Sequence, residues 1–517
     1  MFHATRLTGP LIVLSATILV LINSELVCAQ HEPMGGSTRD IGSVSPSRTT
    51  RKPTKPVTRA TPAPAPRRRT PPPPPRATTV SADEYNRQGD KLFDQNKYEE
   101  ALEAYRKAVQ ANPKLASAHY RIGWILNDQG AYQEAIAPLL EAVRVQLNYP
   151  IALVELGYAY RNLKRYDEAL NVNRQAIRLK PDYAKPYYET GLIYNEQKSY
   201  AQAAESLRQA VRYDANYADA QSELGYAQRR LGRDAESIAA YKEAIRLKPE
   251  LAAAHLGLGD VYYYNTKQYA EAVQAYREGV RLEPENATAF FNLAWCYNEL
   301  SQFDNALHAA NEAIRLKADY PEAYLEVGYA NRKLGGKLPE KSATARQKFD
   351  AAITAYRTAL RLRTNYALAY TGLGQVYYHD LRDYAQAAEA YKQALRIDPT
   401  DVSNHFKLAW AYNDVGRYGE AIAPLREAIR LKPEYTEAYN ELGYTYHKLA
   451  RYNEAIEEYK KAIRLKPDYT LAHYNLGLSY LATGNRTGAT GQYRILQRLD
   501  QNQASKLYSQ MQPSLRN

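Results

Sequence analysis

Cysteine is nearly absent from this chain. Of 517 residues, two are cysteines, Cys28 and Cys296. One of them lies in a segment expected to be removed, so no disulfide framework is available. There is also no Cys-x-x-Cys or Cys/His spacing to hold a metal. The fold must therefore rest on packing, and Cys296, beside core positions of a predicted helix, reads as a small buried hydrophobe. Tryptophan (3) and phenylalanine (7) are scarce against 47 tyrosines, so the same tyrosine-using positions recur many times. Catalytic signatures are missing too. There is no Walker-type phosphate loop, no His-Glu-x-x-His and no Gly-x-Ser-x-Gly. The nearest glycine pair, Gly257 and Gly259, falls inside a predicted helix. The expectation is a non-enzymatic protein without cofactor or metal.

Long apolar runs are lacking as well, apart from residues 11–22 (LIVLSATILVLI). Arg6 precedes this run, and Val27-Cys28-Ala29 follows it. Residues 1–29 therefore read as an export signal cleaved after Ala29. The run is short of the ~20 residues a membrane span needs, so a retained anchor is the weaker reading. Val27 stands where a lipid-attachment signal would place a small residue before Cys28, so no lipid anchor is expected. The protein is expected to be exported, periplasmic or secreted, with no membrane span after cleavage.

The formal charge is +12 and the pI about 9.2. Residues 30–80 carry ten Lys or Arg and two Asp or Glu, a net of +8. This stretch is rich in Pro, Thr and Arg and almost free of aliphatic side chains. It cannot bury enough surface to offset its ordering entropy, so it reads as a disordered basic tether. The basic pI is thus mainly a property of the tether, which argues against a nucleic-acid partner. Residues 48–76 remain available for an anionic envelope surface.

From Ala82 onward the sequence realigns with itself every 34 residues, through twelve blocks with insertions in three. Looking for such periods takes precedence over other readings. Block position 8 is Gly or Ala throughout, for example Gly89, Gly123, Gly191 and Gly443. Position 20 is Ala in eleven blocks, and position 27 in ten. Pro follows at position 32 in seven, where it stops a helix. Each block is read as two antiparallel helices, A (positions 1–14) and B (15–29). Positions 4, 7, 8 and 11 form the packing stripe of helix A. His119, His255, His405 and His473 occupy position 4, where core packing is the default reading. The small residues at 8, 20 and 27 are explained by close approach of two helix backbones. A hairpin alone cannot bury its apolar faces, but stacked neighbours can.

This pattern resembles the tetratricopeptide repeat (TPR) family. Block 11 carries it well, with Tyr439, Leu442, Gly443, Tyr446, Ala455, Tyr459, Ala462 and Pro467, and the resemblance spans residues 82–503. The repeat style (EAIRLKPDY) is similar to the TPR arm of O-linked N-acetylglucosamine transferase, without its catalytic domain. The resemblance implies an all-α fold, an α-solenoid forming a right-handed superhelix of about twelve hairpins. It also implies a concave face, lined by A helices, that grips an extended peptide. The expected organisation is a signal at 1–29, a tether at 30–80, repeats at 81–503 and a cap helix and tail at 504–517.

Departures are specific. Blocks 6 and 9 carry one extra residue between their helices. Block 8 carries twelve, and its Gly335-Gly336 pair is expected to break helix A. Pro138 and Pro424 fall inside B helices. Blocks 2, 7 and 10 carry Trp at position 9, and blocks 3, 8 and 11 follow them with a shared Glu-x-Gly-Tyr, a three-hairpin period.

The candidate binding face is the second stripe of helix A, positions 2, 5, 6, 9, 12 and 13, about 150° from the packing stripe. Position 9 supplies Trp124, Tyr158, Tyr226, Trp295, Tyr329, Trp410 and Tyr444. Position 6 supplies Glu155, Glu189, Glu223, Glu326 and Glu441. Position 12 supplies Asn127, Asn195, Asn298 and Asn413, with Arg161, Arg229 and Arg332 between them. Exposed aromatics resemble interface anchors, and Asn and Arg can hold a peptide backbone. The Glu row suggests extended segments with basic residues. The same aromatics can instead pack on a neighbouring repeat, and the sequence leaves both open. Two family ligand modes fit poorly. The carboxylate clamp needs Lys and Asn or Arg where Glu dominates, and an Asn ladder at position 6 finds only Asn292 and Asn475. The expected function is an exported scaffold binding extended polypeptide. The alternatives are a cell-envelope glycan or peptidoglycan binder, or the regulatory arm of a separately encoded enzyme.

Overall fold

The computed structural model describes residues 80–512; the signal segment, the tether up to residue 79 and residues 513–517 lie outside them. Among the described residues there are twenty-five α-helices and no strand. The A helices are α1 (Ala82–Asp94), α3 (Ala116–Asp128), α5 (Pro150–Asn162), α7 (Ala184–Glu196), α9 (Ala218–Arg230), α11 (Ala252–Asp260), α13 (Ala287–Glu299), α15 (Pro321–Lys337), α17 (Ala367–Gln375), α19 (Val402–Asp414), α21 (Thr436–Lys448) and α23 (Thr470–Ala482). Each is followed by its B helix: α2 (Tyr98–Ala111), α4 (Tyr132–Val145), α6 (Tyr166–Leu179), α8 (Tyr200–Tyr213), α10 (Asp234–Leu247), α12 (Tyr269–Leu282), α14 (Phe303–Leu316), α16 (Ala343–Leu362), α18 (Tyr384–Ile397), α20 (Tyr418–Leu431), α22 (Tyr452–Leu465) and α24 (Arg486–Leu499). A final helix, α25 (Gln501–Met511), closes the series. Each A helix packs on its own B helix, each B helix on the next A helix, and A helices on one another. The result is an all-α solenoid of twelve hairpins.

The packing explains the small residues, but not through backbone contact. A methyl group on Gly443 would lie 2.7 Å from the ring of Tyr459, and one on Gly374 2.5 Å from that of Tyr391. The group that crosses position 8 is thus a large side chain at position 24 of helix B, Tyr or Leu. Ala at positions 20 and 27 lets that side chain lie flat: Ala455 and Ala462 are fully buried and Tyr459 is 1% exposed. In the third hairpin, position 24 is Asn173, fully buried with neither amide atom hydrogen-bonded. In the twelfth hairpin, Leu507 of α25 lies over Gly477. The closing helix therefore supplies an apolar plug and keeps its outer face polar.

The hairpin corners follow a common rule. Position 15 has a left-handed backbone, with Gly at 130, 232, 416 and 484 and a non-glycine such as Ala450 (φ 58°) elsewhere. Arg451 N–H then donates to Tyr446 O at 2.9 Å and Ala450 N–H to His447 O at 3.0 Å, a helix-closing pair. Between hairpins, the position-4 histidines have a role that the core reading did not foresee. His119, His255, His405 and His473 donate from Nε2 to the carbonyls of Pro113, Pro249, Pro399 and Pro467, each at 2.9 Å. They tie each A helix to the turn before it.

Three insertions behave differently from their sequence reading. In hairpins 6 and 9 the extra residue does not lengthen the corner. It is absorbed as a π-turn at the end of helix A, Val261–Asn265 and Val376–Asp380. In hairpin 8, α15 runs through Gly335 and Gly336 rather than breaking there, and Gly335 serves packing instead: a side chain there would collide with the Phe349 ring of α16 (2.5 Å). The stop comes at Leu338-Pro339, and Ser342 caps α16 by accepting from Ala345 N–H. Pro138 and Pro424 lie within continuous helices α4 and α20.

Two stability predictions follow from this packing. Helix propensity alone would make Gly443→Ala stabilising by about 1 kcal/mol. The Tyr459 contact should reverse that sign and cost about 1–3 kcal/mol. Gly491→Ala in α24, with nothing within 4 Å of the new methyl, should instead stabilise by up to about 1 kcal/mol. Denaturant melts of the two variants compare the effects directly. Asn173→Leu restores the residue type of Leu139 and Leu207 over the glycine. It should raise stability by about 1–3 kcal/mol by removing an unsatisfied buried amide; a lowered melting temperature would refute this.

Candidate functional site

The second stripe of the A helices is a ladder between repeats. Asn127 Nδ2 donates to the Glu155 carbonyl at 2.9 Å and lies 3.4 Å from its carboxylate, 28 residues on. The same step, position 12 to position 6 of the next repeat, joins Arg161 to Glu189 (3.0 Å), Asn195 to Glu223 (3.0 Å) and Asn298 to Glu326 (2.7 Å). Other rungs use different acceptors: Asp260 for Arg229 (3.3 Å), Asp380 for Arg332 (2.7 Å) and Thr445 for Asn413 (3.0 Å). His447 Nδ1 meets Ser479 Oγ at 2.9 Å in the same way. Asn127, Asn195, Asn298 and Asn413 are buried, as are Glu155, Glu189 and Glu326; Glu223 and Glu441 are half-buried.

The position-9 aromatics also contact the preceding repeat. Tyr158, Tyr226, Tyr329 and Tyr444 set their rings against Tyr132, Tyr200, Phe303 and Tyr418 at position 17, with centroids 5.9–6.5 Å apart. The three tryptophans pack on an aromatic at position 12 of the preceding A helix. Trp124 meets Phe93 (4.8 Å), Trp295 meets Tyr263 (6.0 Å) and Trp410 meets Tyr378 (6.2 Å). Trp295 is only 3% exposed, whereas the other six position-9 aromatics are half-buried.

All nineteen predicted residues therefore lie along one face of consecutive A helices. Their polar groups, however, are turned largely toward one another. A row of free carboxylates awaiting a basic ligand is not present: Glu155 also binds Lys185 Nζ (2.8 Å), and Arg161 also reaches Glu196 (2.8 Å). The missed signal was the 28-residue spacing of donor and acceptor, visible only when blocks are compared in pairs. Solvent-facing charge on this side sits at position 13, for example Asp128, Arg230, Glu299 and Lys448. Glu-x-x-Arg pairs at i,i+3, such as Glu243–Arg246, occupy the exposed B-helix surface and contribute little each. Cys296 is buried, and no three His, Cys, Asp or Glu come together as metal ligands among the described residues. No described helix is long and apolar enough to cross a membrane.

Burial makes three of the position-6 carboxylates, Glu189, Glu326 and Glu441, reluctant to ionise. Glu326 is pushed up to about 7 by burial, against the opposing hydrogen bond from Asn298. Glu441 is pushed up to about 8 by burial and by Asp414, against the Trp410 indole. For Glu326 the folded state keeps its proton while the unfolded chain releases it at the usual glutamate value. Wild-type stability should fall as pH rises from about 4.5 to about 7. Glu326→Gln keeps the carbonyl acceptor for Asn298 and has no proton to lose. Its stability relative to wild type should rise across that window by up to about 3 kcal/mol. Thermal melts at pH 5 and pH 8 test this, and a difference independent of pH would contradict it.

No curated protein matches the chain. Solved structures similar to part of it include two of MamA and one of YrrB, the last described as a TPR protein with an unusual peptide-binding site. The MamA structures are 24% and 28% identical, cover 33% and 32% of this chain and 93% of theirs, with TM-scores of 0.30 and 0.28. YrrB is 20% identical over 36% of this chain and 95% of its own, with a TM-score of 0.32. A family model described as TPR repeat matches residues 157–197, 191–232, 229–265, 342–380, 378–415, 410–449 and 451–484. A second, described as Tetratricopeptide repeat, matches residues 86–146 and 256–321. Together they cover well over half of the sequence, with the same helical hairpins on which the ladder is built: the chain belongs to the tetratricopeptide repeat family.

Proposed function

We propose that this protein is an exported protein–protein interaction scaffold whose A-helix face holds an extended polypeptide segment. The observation that supports this reading is the ladder. Most side chains at positions 6, 9 and 12 are locked between neighbours from Asn127 onward, so much of the face is set before any ligand arrives. A surface already in its bound conformation avoids much of the ordering cost of association. An extended segment suits it because the face repeats its chemistry hairpin after hairpin. Export rests on residues 1–29, and contact of residues 48–76 with an anionic envelope surface remains part of the proposal. The glycan reading loses support, because the tryptophan rings are engaged by neighbouring aromatics.

The test is positional. A photo-crosslinking residue is placed at Arg230, Glu299 or Lys448 on the A-helix face, and at Lys242 on a B helix, in the full chain. Polypeptide recovered from an extracellular or periplasmic extract should crosslink at the three A-helix positions and not at Lys242. Crosslinks confined to Lys242, or only glycan recovered, would reject the reading.

A further inference from the structure

The ladder has one irregular rung, and its chemistry points to a ligand. Position 6 of α19 carries Lys407, where five other repeats carry glutamate. Its side chain is 7% exposed. It makes no hydrogen bond or ion pair with any described residue, yet its nitrogen is not sealed from solvent. The residue that would normally reach position 6 is position 12 of the preceding repeat. Here that residue is Tyr378, whose hydroxyl donates instead to Asp414 at 2.5 Å. The π-turn Val376–Asp380 carries Tyr378 and, beside it, His379. Asp380 on the same turn is taken by Arg332 at 2.7 Å. Asp401, the carboxylate that acts on Lys407, is engaged in capping α19 through Asn404.

Charges of both signs surround this rung, but Asp380 and Asp414 are engaged by Arg332 and Tyr378, which leaves Lys407 without a direct partner. His379 is pushed down to about 3 by burial, then by Arg332, Lys407 and Lys333. Lys407 itself is pushed down to about 8 by burial, which Asp401 only partly offsets. A buried ammonium without a counter-charge is costly to keep. An anion brought to it would supply the missing counter-charge in a largely desolvated place.

We propose that the A-helix face of hairpins 8–10 is a subsite for a carboxylate side chain of the bound segment, with Lys407 as its principal contact and Lys333 and His379 at its rim. This rests on the reading of the face as a polypeptide-binding surface and specifies an acidic rather than a basic segment at this place. It differs from a clamp built on paired Asn and Lys, because the Asn residues here already join neighbouring repeats.

The test uses the full chain and two blocked, extended peptides, one alternating Glu with Ala and the other Gln with Ala. The Glu peptide should bind more tightly and should shield Lys407 from amine acetylation, read by mass spectrometry. That local readout separates the subsite from attraction to the basic residues 48–76. In Lys407→Met the preference for Glu over Gln should fall about tenfold or more, while the melting temperature holds or rises. A structural lysine would lower it. Equal binding of both peptides to wild type would overturn the subsite and leave the scaffold reading standing. Shielding by inorganic phosphate but not by the Glu peptide would likewise overturn it. No binding of either peptide, together with failure of the positional crosslinks, would remove both.

Discussion

The structure depends on one contact made again and again: a bare Cα on helix A lying under a large side chain of helix B. Where position 8 is glycine, the ring or isobutyl group at position 24 settles onto the helix, and alanines at 20 and 27 let it lie there. Dispersion and burial over that contact set how close the two helices come. Every later spacing, including the step from one A helix to the next, inherits that distance. The exceptions obey the same constraint. Gly335 makes room for Phe349 in the lengthened hairpin 8, and Leu507 from the closing helix covers Gly477 where the repeat degenerates.

A second layer of order follows from the first. Once A helices stand at a constant step, position 12 of one reaches the next, and polar residues there find partners on it, in four rungs 28 residues on. Hairpins 6 and 9 break this step by a π-turn. Both also carry glycine at position 6, Gly257 and Gly372, over which Tyr241 and Tyr356 of the preceding hairpins extend. The repeat that follows each carries a tryptophan, Trp295 or Trp410, packed on the aromatic of the π-turn. In hairpins 7 and 10 a shifted helix end is thus followed by a larger ring that fills the gap, whereas Trp124 packs on Phe93 of the regular α1. π-turns of this kind often mark functional positions, and the unpaired Lys407 lies on the A helix that follows one.

Charge on this protein is divided by location. Exposed Glu and Arg on the B helices form short-range pairs that keep the outer surface hydrated. At positions 6 and 12 of the A-helix face the charges are partly desolvated, and most are paired across the rung or, as with Glu326, shifted in their protonation. On the proposed binding reading, such a face would discriminate ligands by which of its few unpaired groups they satisfy, because leaving a buried polar group unpaired is the larger energetic effect.

By itself the sequence determined the solenoid, its repeated hairpins and the face that A helices share. Those depend on the period and on side-chain size, which are local and repeated twelve times. What only the tertiary structure decided is where each side chain of that face turns. Whether Trp295 is a platform or a filler, whether Glu155 is free or bonded, and whether Gly335 ends a helix or admits Phe349 depend on what stands opposite. The same holds for Lys407, a surface cation in the pattern and an unpaired buried one in the fold. Its missing partner is a consequence of one extra residue accommodated inside the neighbouring helix, and a helix takes up such a residue only through the packing around it.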